Sequence, residues 1–100
     1  MKENFTKTFV EWIQANQERL YAENITVQSP ITIIGNGTYA NFNNGVEEAT
    51  VEIWDYGFSE FHVLDPQTEQ VNVTHYEFQN KAELYVALDE LVNQMSLVLV

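Results

Sequence analysis

The chain has 100 residues, 45% of them hydrophobic, and a formal net charge of −11. That length is one ordinary domain, so residues 1–100 are expected to share a single core, and the apolar content excludes a disordered chain. Four Lys and Arg against 15 acids argue against binding to nucleic-acid phosphate or an anionic membrane, and the absence of cysteine removes disulfides, thiolate metal sites and a cysteine nucleophile.

The opening MKENFTKTFVEW holds no apolar run of signal-peptide length, and no later segment approaches a membrane span, so a cytoplasmic protein is expected. Residues 3–22 read as one amphipathic helix, with Phe5, Phe9, Trp12, Ile13 and Leu20 at helical spacing and Asn16 on the same stripe. Its four aromatics, Phe5, Phe9, Trp12 and Tyr21, read as core.

From Ile25 the period changes to two. Five strands are expected, at about 25–34, 38–43, 48–54, 58–65 and 70–78. Pro30 demands that the first be an edge strand or bend there. Asn36-Gly37 and Asn44-Gly45 are two-residue hairpin signals; they set Ile33 against Ala40, Ile31 against Phe42 and Ala40 against Ala49. The Asp55-Tyr56-Gly57 loop sets Val51 against Phe61 and Ala49 against Val63. Asp65-Pro66 starts the last turn. A three-residue closure there sets Val63 against Val73 and Phe61 against His75, with a four-residue turn equally open. These registers agree on one apolar face of Ile31, Ile33, Ala40, Phe42, Ala49, Val51, Ile53, Phe61, Val63, Val71 and Val73.

Residues 81–95 read as a second helix, with Asn80 as N-cap, Glu83 as its capping-box partner and a buried stripe of Leu84, Leu88, Leu91 and Met95 flanked by Tyr85 and Val92. Three placements are open to the apolar tail Ser96–Val100: more helix, an added strand, or a contact between chains. The fold expected is α+β, an antiparallel five-stranded meander with the N- and C-terminal helices packed on one face.

The opposite face is expected to see water. Its rows are Thr50, His62 and Thr74; Glu52, Glu60 and Tyr76; Trp54, Phe58 and Phe78. Aromatics rimmed by carboxylates are a common composition for a protein-binding surface, and two glutamates directly opposed across strands invite an external cation. The charge pattern points the same way. Between Arg19 and Lys81 there are 61 residues with no Lys or Arg and nine acids. Such a one-signed field costs stability by self-repulsion and suits a positively charged partner.

Catalytic signals are weak. His62 and His75 fall on opposite faces in these registers and cannot share a metal ion, and His75 reads as a neutral core histidine. No serine sits in a nucleophile-elbow context. Glu52 and Glu60 lie on an open sheet with no cleft to raise either pKa for glycosidase-type chemistry. No Gly-rich phosphate loop or calcium loop is present, so neither a cofactor nor a metal is expected.

Several segments resemble a known family. They are Phe9-Val10-Glu11-Trp12-Ile13 on the first helix, the strand and turn Val51-Glu52-Ile53-Trp54-Asp55-Tyr56-Gly57, the strand Phe61-His62-Val63-Leu64-Asp65, then Thr74-His75-Tyr76-Glu77-Phe78 and a Leu-rich closing helix. In this order they resemble the TriTu-type immunity proteins of bacterial polymorphic toxin systems. The resemblance implies a cytoplasmic, non-enzymatic protein that binds and neutralises a cognate toxin domain, basic if it is a nuclease. The anchors would then be Glu52, Trp54, Phe58, Glu60 and Tyr76, with His62 on the same face and Glu47, Glu48 and Asp55 steering the approach. An acidic mimic of nucleic acid, or another small protein-interaction module, is the alternative; the scatter of acids among aromatics fits phosphate mimicry less well. Oligomeric state is left open.

Overall fold

The computed structural model describes residues 4–28, 32–34 and 36–97. Helix α1 spans Phe5–Ala15 and α2 spans Gln17–Ala22. Asn4 caps α1, its side-chain oxygen accepting from Lys7 N at 2.9 Å. The expected single helix is interrupted at Asn16, whose Nδ2 donates to Trp12 O at 2.8 Å while its backbone N–H also turns back to Trp12 and Ile13. A side chain that competes for the backbone carbonyls in this way is a common cause of a helix break. The stripe Phe5, Phe9, Trp12, Ile13 and Leu20 is buried as expected, whereas Tyr21 faces solvent. α2 ends in a left-handed residue, Asn24 (φ 59°), with Ile25 N donating to Leu20 O, and the chain turns into the sheet.

The sheet is antiparallel and has five lanes. β1 (Thr26–Val27) and β2 (Thr32–Ile34) share the first lane, both paired with β3 (Gly37–Asn43); β4 (Glu48–Trp54), β5 (Phe58–Leu64) and β6 (Val71–Glu77) follow in order. The first expected strand is thus two pieces, with a register change of two residues between them. Pro30 and Ile31 lie outside the described residues. Helix α3 (Lys81–Leu97) closes the fold and runs two residues past its expected end; the tail beyond it is likewise outside the description. Asn80 Oδ1 accepts from Glu83 N, and the Glu83 carboxylate reaches back to Gln79 N at 2.7 Å, one residue earlier than a standard capping box.

The register of β4 and β5 is as expected, with Val51 against Phe61 and Ala49 against Val63. The first two hairpins differ from expectation by two residues. Ile34 pairs with Gly37, and Ile33 with Thr38 in place of Ala40. Asn43 pairs with Glu48, so Asn44–Glu47 is a four-residue loop. Asn44 explains its width: its Oδ1 accepts from Val46 N and Glu47 N, and its Nδ2 donates to Met95 O on α3. A shift of two keeps every side chain on its face, so Ala40, Phe42, Ala49, Val51, Ile53 and Phe61 are all buried.

The last hairpin differs by one, and its faces are exchanged. Phe61 pairs with Thr74, Val63 with Asn72 and Leu64 with Val71. The six-residue loop 65–70 between β5 and β6 is closed by Asp65 N donating to Gln70 O, with Glu69 in the left-handed region. Val71 and Val73 therefore point away from the helices and are exposed, and Tyr76 and Phe78 turn toward them. The reason is the size of the buried groups. Tyr76 and Phe78 stack at 5.0 Å, Phe61 lies 4.8 Å from Tyr76, and Phe78 also meets Phe5 at 6.3 Å. Two aromatic rings bury far more apolar surface than two valines at an edge.

The helices cover one side of the sheet only. Leu84, Ala87, Leu88, Leu91, Val92 and Met95 of α3 pack with the α1 stripe onto the inward residues of β3, β4 and β5. Arg19 and Asp89, 2.7 Å apart and partly exposed, tie α2 to α3. Among the described residues no helix is long and apolar enough to cross a membrane.

Candidate functional site

Alternation in the central strands sends every second residue to the side without helices. The pairing defines three complete rows there: Tyr39, Glu52, Glu60 and His75; then Asn41, Thr50, His62 and Val73; then Asn43, Glu48, Leu64 and Val71. Trp54 and Phe58 flank the β4–β5 turn on the same side, their rings edge-on at 5.5 Å. Glu48 and Glu77 stand at the margins. No described helix crosses this face.

The structure brings together Glu52, Trp54, Phe58, Glu60 and His62 as the sequence suggested, with Glu48 beside them. It corrects the β6 members. Tyr76 is on the helix side, partly buried between Phe61 and Phe78, and cannot join an open-face contact. Burial, and then the nearby Glu90 charge, push its hydroxyl pKa up. Thr74 and Phe78 leave the face with it. His75 replaces Tyr76; it is not a core histidine, since its side chain is 63% exposed and its Nδ1 lies 3.3 Å from Glu60 Oε2. His62 and His75 are therefore on one face, contrary to the expected opposition.

Glu47 is also displaced from its expected role. It closes the β3–β4 loop with its side chain buried, and Oε1 has no hydrogen-bond partner. Burial, reinforced by the charge of Asp65, holds its carboxyl pKa above the usual value. Asp55 sits in the β4–β5 turn, where its backbone accepts from Phe5 N and donates to Asn36 O, joining that turn to both α1 and the β2–β3 hairpin.

The face is electrostatically unbalanced. Glu52 and Glu60 are directly opposed. Glu60 has His75 as neighbour and Glu48 accepts from Asn41 Nδ2 at 2.8 Å. Among the described residues no hydrogen bond or ion pair reaches the Glu52 carboxylate. Glu52, Glu60 and His62 each bring one ligand atom within 4.8 Å of the other two, and they are the described residues whose donors converge enough to hold a divalent cation. His62 Nε2 is enclosed and has no hydrogen-bond partner. Two carboxylates and one imidazole are a donor set that suits Zn²⁺ or Mn²⁺.

Sequence reasoning missed Tyr39, which is 41% exposed and stands beside Glu52. The signal was present: in β3, Ala40 and Phe42 occupy the buried parity and Tyr39 the other. With Gly37, Thr38, Glu52 and Trp54 it lines a cleft of about 170 Å³. Gly37 shapes that cleft. A Cβ there would stand 3.3 Å from the Trp54 indole and 3.2 Å from Ile53 O, so a larger residue would push the indole back by a few tenths of an ångström.

No curated protein and no solved structure matches the chain. The family model described as Immunity protein TriTu matches residues 7–94, a span that takes in most of α1, all of α2, the whole sheet and most of α3. The chain belongs to the TriTu immunity protein family.

Proposed function

We propose that this protein is a non-enzymatic, cytoplasmic inhibitor that neutralises a cognate toxin domain by docking it, through basic groups, on the open face of the sheet. Membership of an immunity protein family supports a toxin partner. The observation that carries the choice of surface is the composition of the open face: four glutamates (48, 52, 60 and 77), the aromatics Tyr39, Trp54 and Phe58, and no Lys or Arg. Aromatic anchors supply contact area at low entropic cost, and the surrounding field steers a basic partner. Glu52, Trp54, Phe58, Glu60 and His62 are the central contacts, with Glu48 and Asp55 at the rim. Tyr76 and Glu47 drop out of the set.

The test is association kinetics with the cognate toxin domain. The association rate falls steeply between low and high salt. Trp54→Ala and Phe58→Ala raise the dissociation rate, whereas Tyr21→Ala, on the exposed back of α2, does not. A complex whose rates ignore both salt and the two open-face variants would refute the reading. Competition by duplex DNA for the same toxin surface would favour nucleic-acid mimicry instead.

A further inference from the structure

The open face is not uniform. At its β3–β4 side, the cleft between Tyr39 and Trp54 has aromatic walls, a glycine floor and a carboxylate at its edge. That carboxylate, Glu52, has no partner among the described residues, and the residue directly across from it is another glutamate. An aromatic slot beside an unpaired carboxylate has the chemistry of a receptor for a flat cation. A guanidinium stacks on an indole and presents a planar fork of donors to a carboxylate; an ammonium is a compact, strongly hydrated point charge that does neither as well. The cleft volume of about 170 Å³ is of the order of one long side chain.

We infer that this cleft receives an arginine side chain of the basic partner, its guanidinium on the Trp54 indole and its N–H groups on the Glu52 carboxylate. The inference rests on the docking reading above. It adds a named recognition point and a preference of arginine over lysine. Gly37 and Tyr39 are positioning residues in it: the first leaves room for the indole beside β3, the second lines the same cleft.

The experiment is a titration of the full chain with N-acetyl-arginine amide and, separately, N-acetyl-lysine amide, followed by ¹H–¹⁵N NMR at low salt in EDTA. EDTA keeps any divalent ion off Glu52, Glu60 and His62. The chain has two tryptophans: Trp54 reports the cleft and the buried Trp12 reports the core. Arginine amide shifts the Trp54 indole signal saturably and leaves Trp12 in place. Lysine amide binds at least about threefold more weakly. Glu52→Gln, which keeps the side-chain shape, weakens arginine amide by about fivefold, equivalent to about 1 kcal/mol. Equal responses to the two amides, shifts that miss Trp54, or an unchanged affinity in Glu52→Gln would each overturn the inference. Failure of the docking reading looks different. In that case arginine amide still binds at Trp54, but the toxin complex is indifferent to Trp54→Ala and Phe58→Ala.

Discussion

Glu47→Gln is expected to stabilise the protein, and to do so only above the acid range. The Glu47 side chain is 6% exposed, Oε1 is enclosed without a partner, and Asp65 adds a like charge. Burial is the larger cause of its raised pKa, from an ordinary 4.5. The folded state thus holds the Glu47 proton more tightly than the unfolded chain does. Stability linked to this group is fully present below about pH 4.5 and declines as pH rises through the folded value. At neutral pH the ionised carboxylate is a standing cost. An enclosed polar oxygen left unpaired costs about 1–3 kcal/mol, more when charged. The other Glu47 oxygen keeps contact with solvent, and a glutamine amide still lacks one partner, so a gain of about 1 kcal/mol is expected. In a chain of 100 residues that is a rise of roughly 4 °C in melting temperature. Urea unfolding followed by circular dichroism at pH 7.5 and pH 3.8 measures it, with Glu48→Gln as the exposed control. Taking differences between variant and parent cancels the titration of the other acids. A gain of equal size at both pH values, or a loss at pH 7.5, would refute the assignment of a charge-desolvation cost to Glu47.

Two further perturbations probe the joints of the fold. Asn44→Ala removes two bonds that hold the β3–β4 loop and one that fastens it to Met95 O. At about 1 kcal/mol per bond, urea unfolding should show a loss of about 2–3 kcal/mol, and Asn44→Asp, which keeps the acceptor, a smaller one. Gly57→Ala places a side chain at φ +107°, where its Cβ runs into the Phe78 carbonyl oxygen and crowds the Phe5 ring. A loss of more than about 2 kcal/mol in the same assay is expected. An effect under about 0.5 kcal/mol would show that the β4–β5 turn does not hold this geometry.

The helices and the central strands were legible because large apolar stripes leave one solution. Phe5, Phe9, Trp12, Ile13, Leu84, Leu88 and Met95 can only face a sheet, and Phe42, Val51, Ile53 and Phe61 can only face them. The β4–β5 register followed from a loop whose glycine must take positive φ. The β2–β3 and β3–β4 registers were off by two residues. Asn-Gly pairs mark a turn without fixing its length, and at Asn44 a side chain widened the loop by capping two N–H groups. The faces survived because that error is even. In β6 the pattern itself misled. Val71 and Val73 alternate like a buried strand, yet the competing parity carries Tyr76 and Phe78, and the larger rings took the core. Six expected assignments, Val71, Val73, Thr74, His75, Tyr76 and Phe78, failed together for that one reason. Tyr39 lies on a strand without acidic residues, so charge did not mark it, although its parity did.

The loop 65–70 bears on which half of β6 faces outward. Its six residues let Tyr76 and Phe78 fill the core and leave His75 and Val73 on the outer surface; five or seven would turn Thr74 and Tyr76 outward and put valines where the rings pack. A chain that gained or lost one residue here would trade a whole column of the surface proposed for docking, and would have to refill the core that the two rings leave.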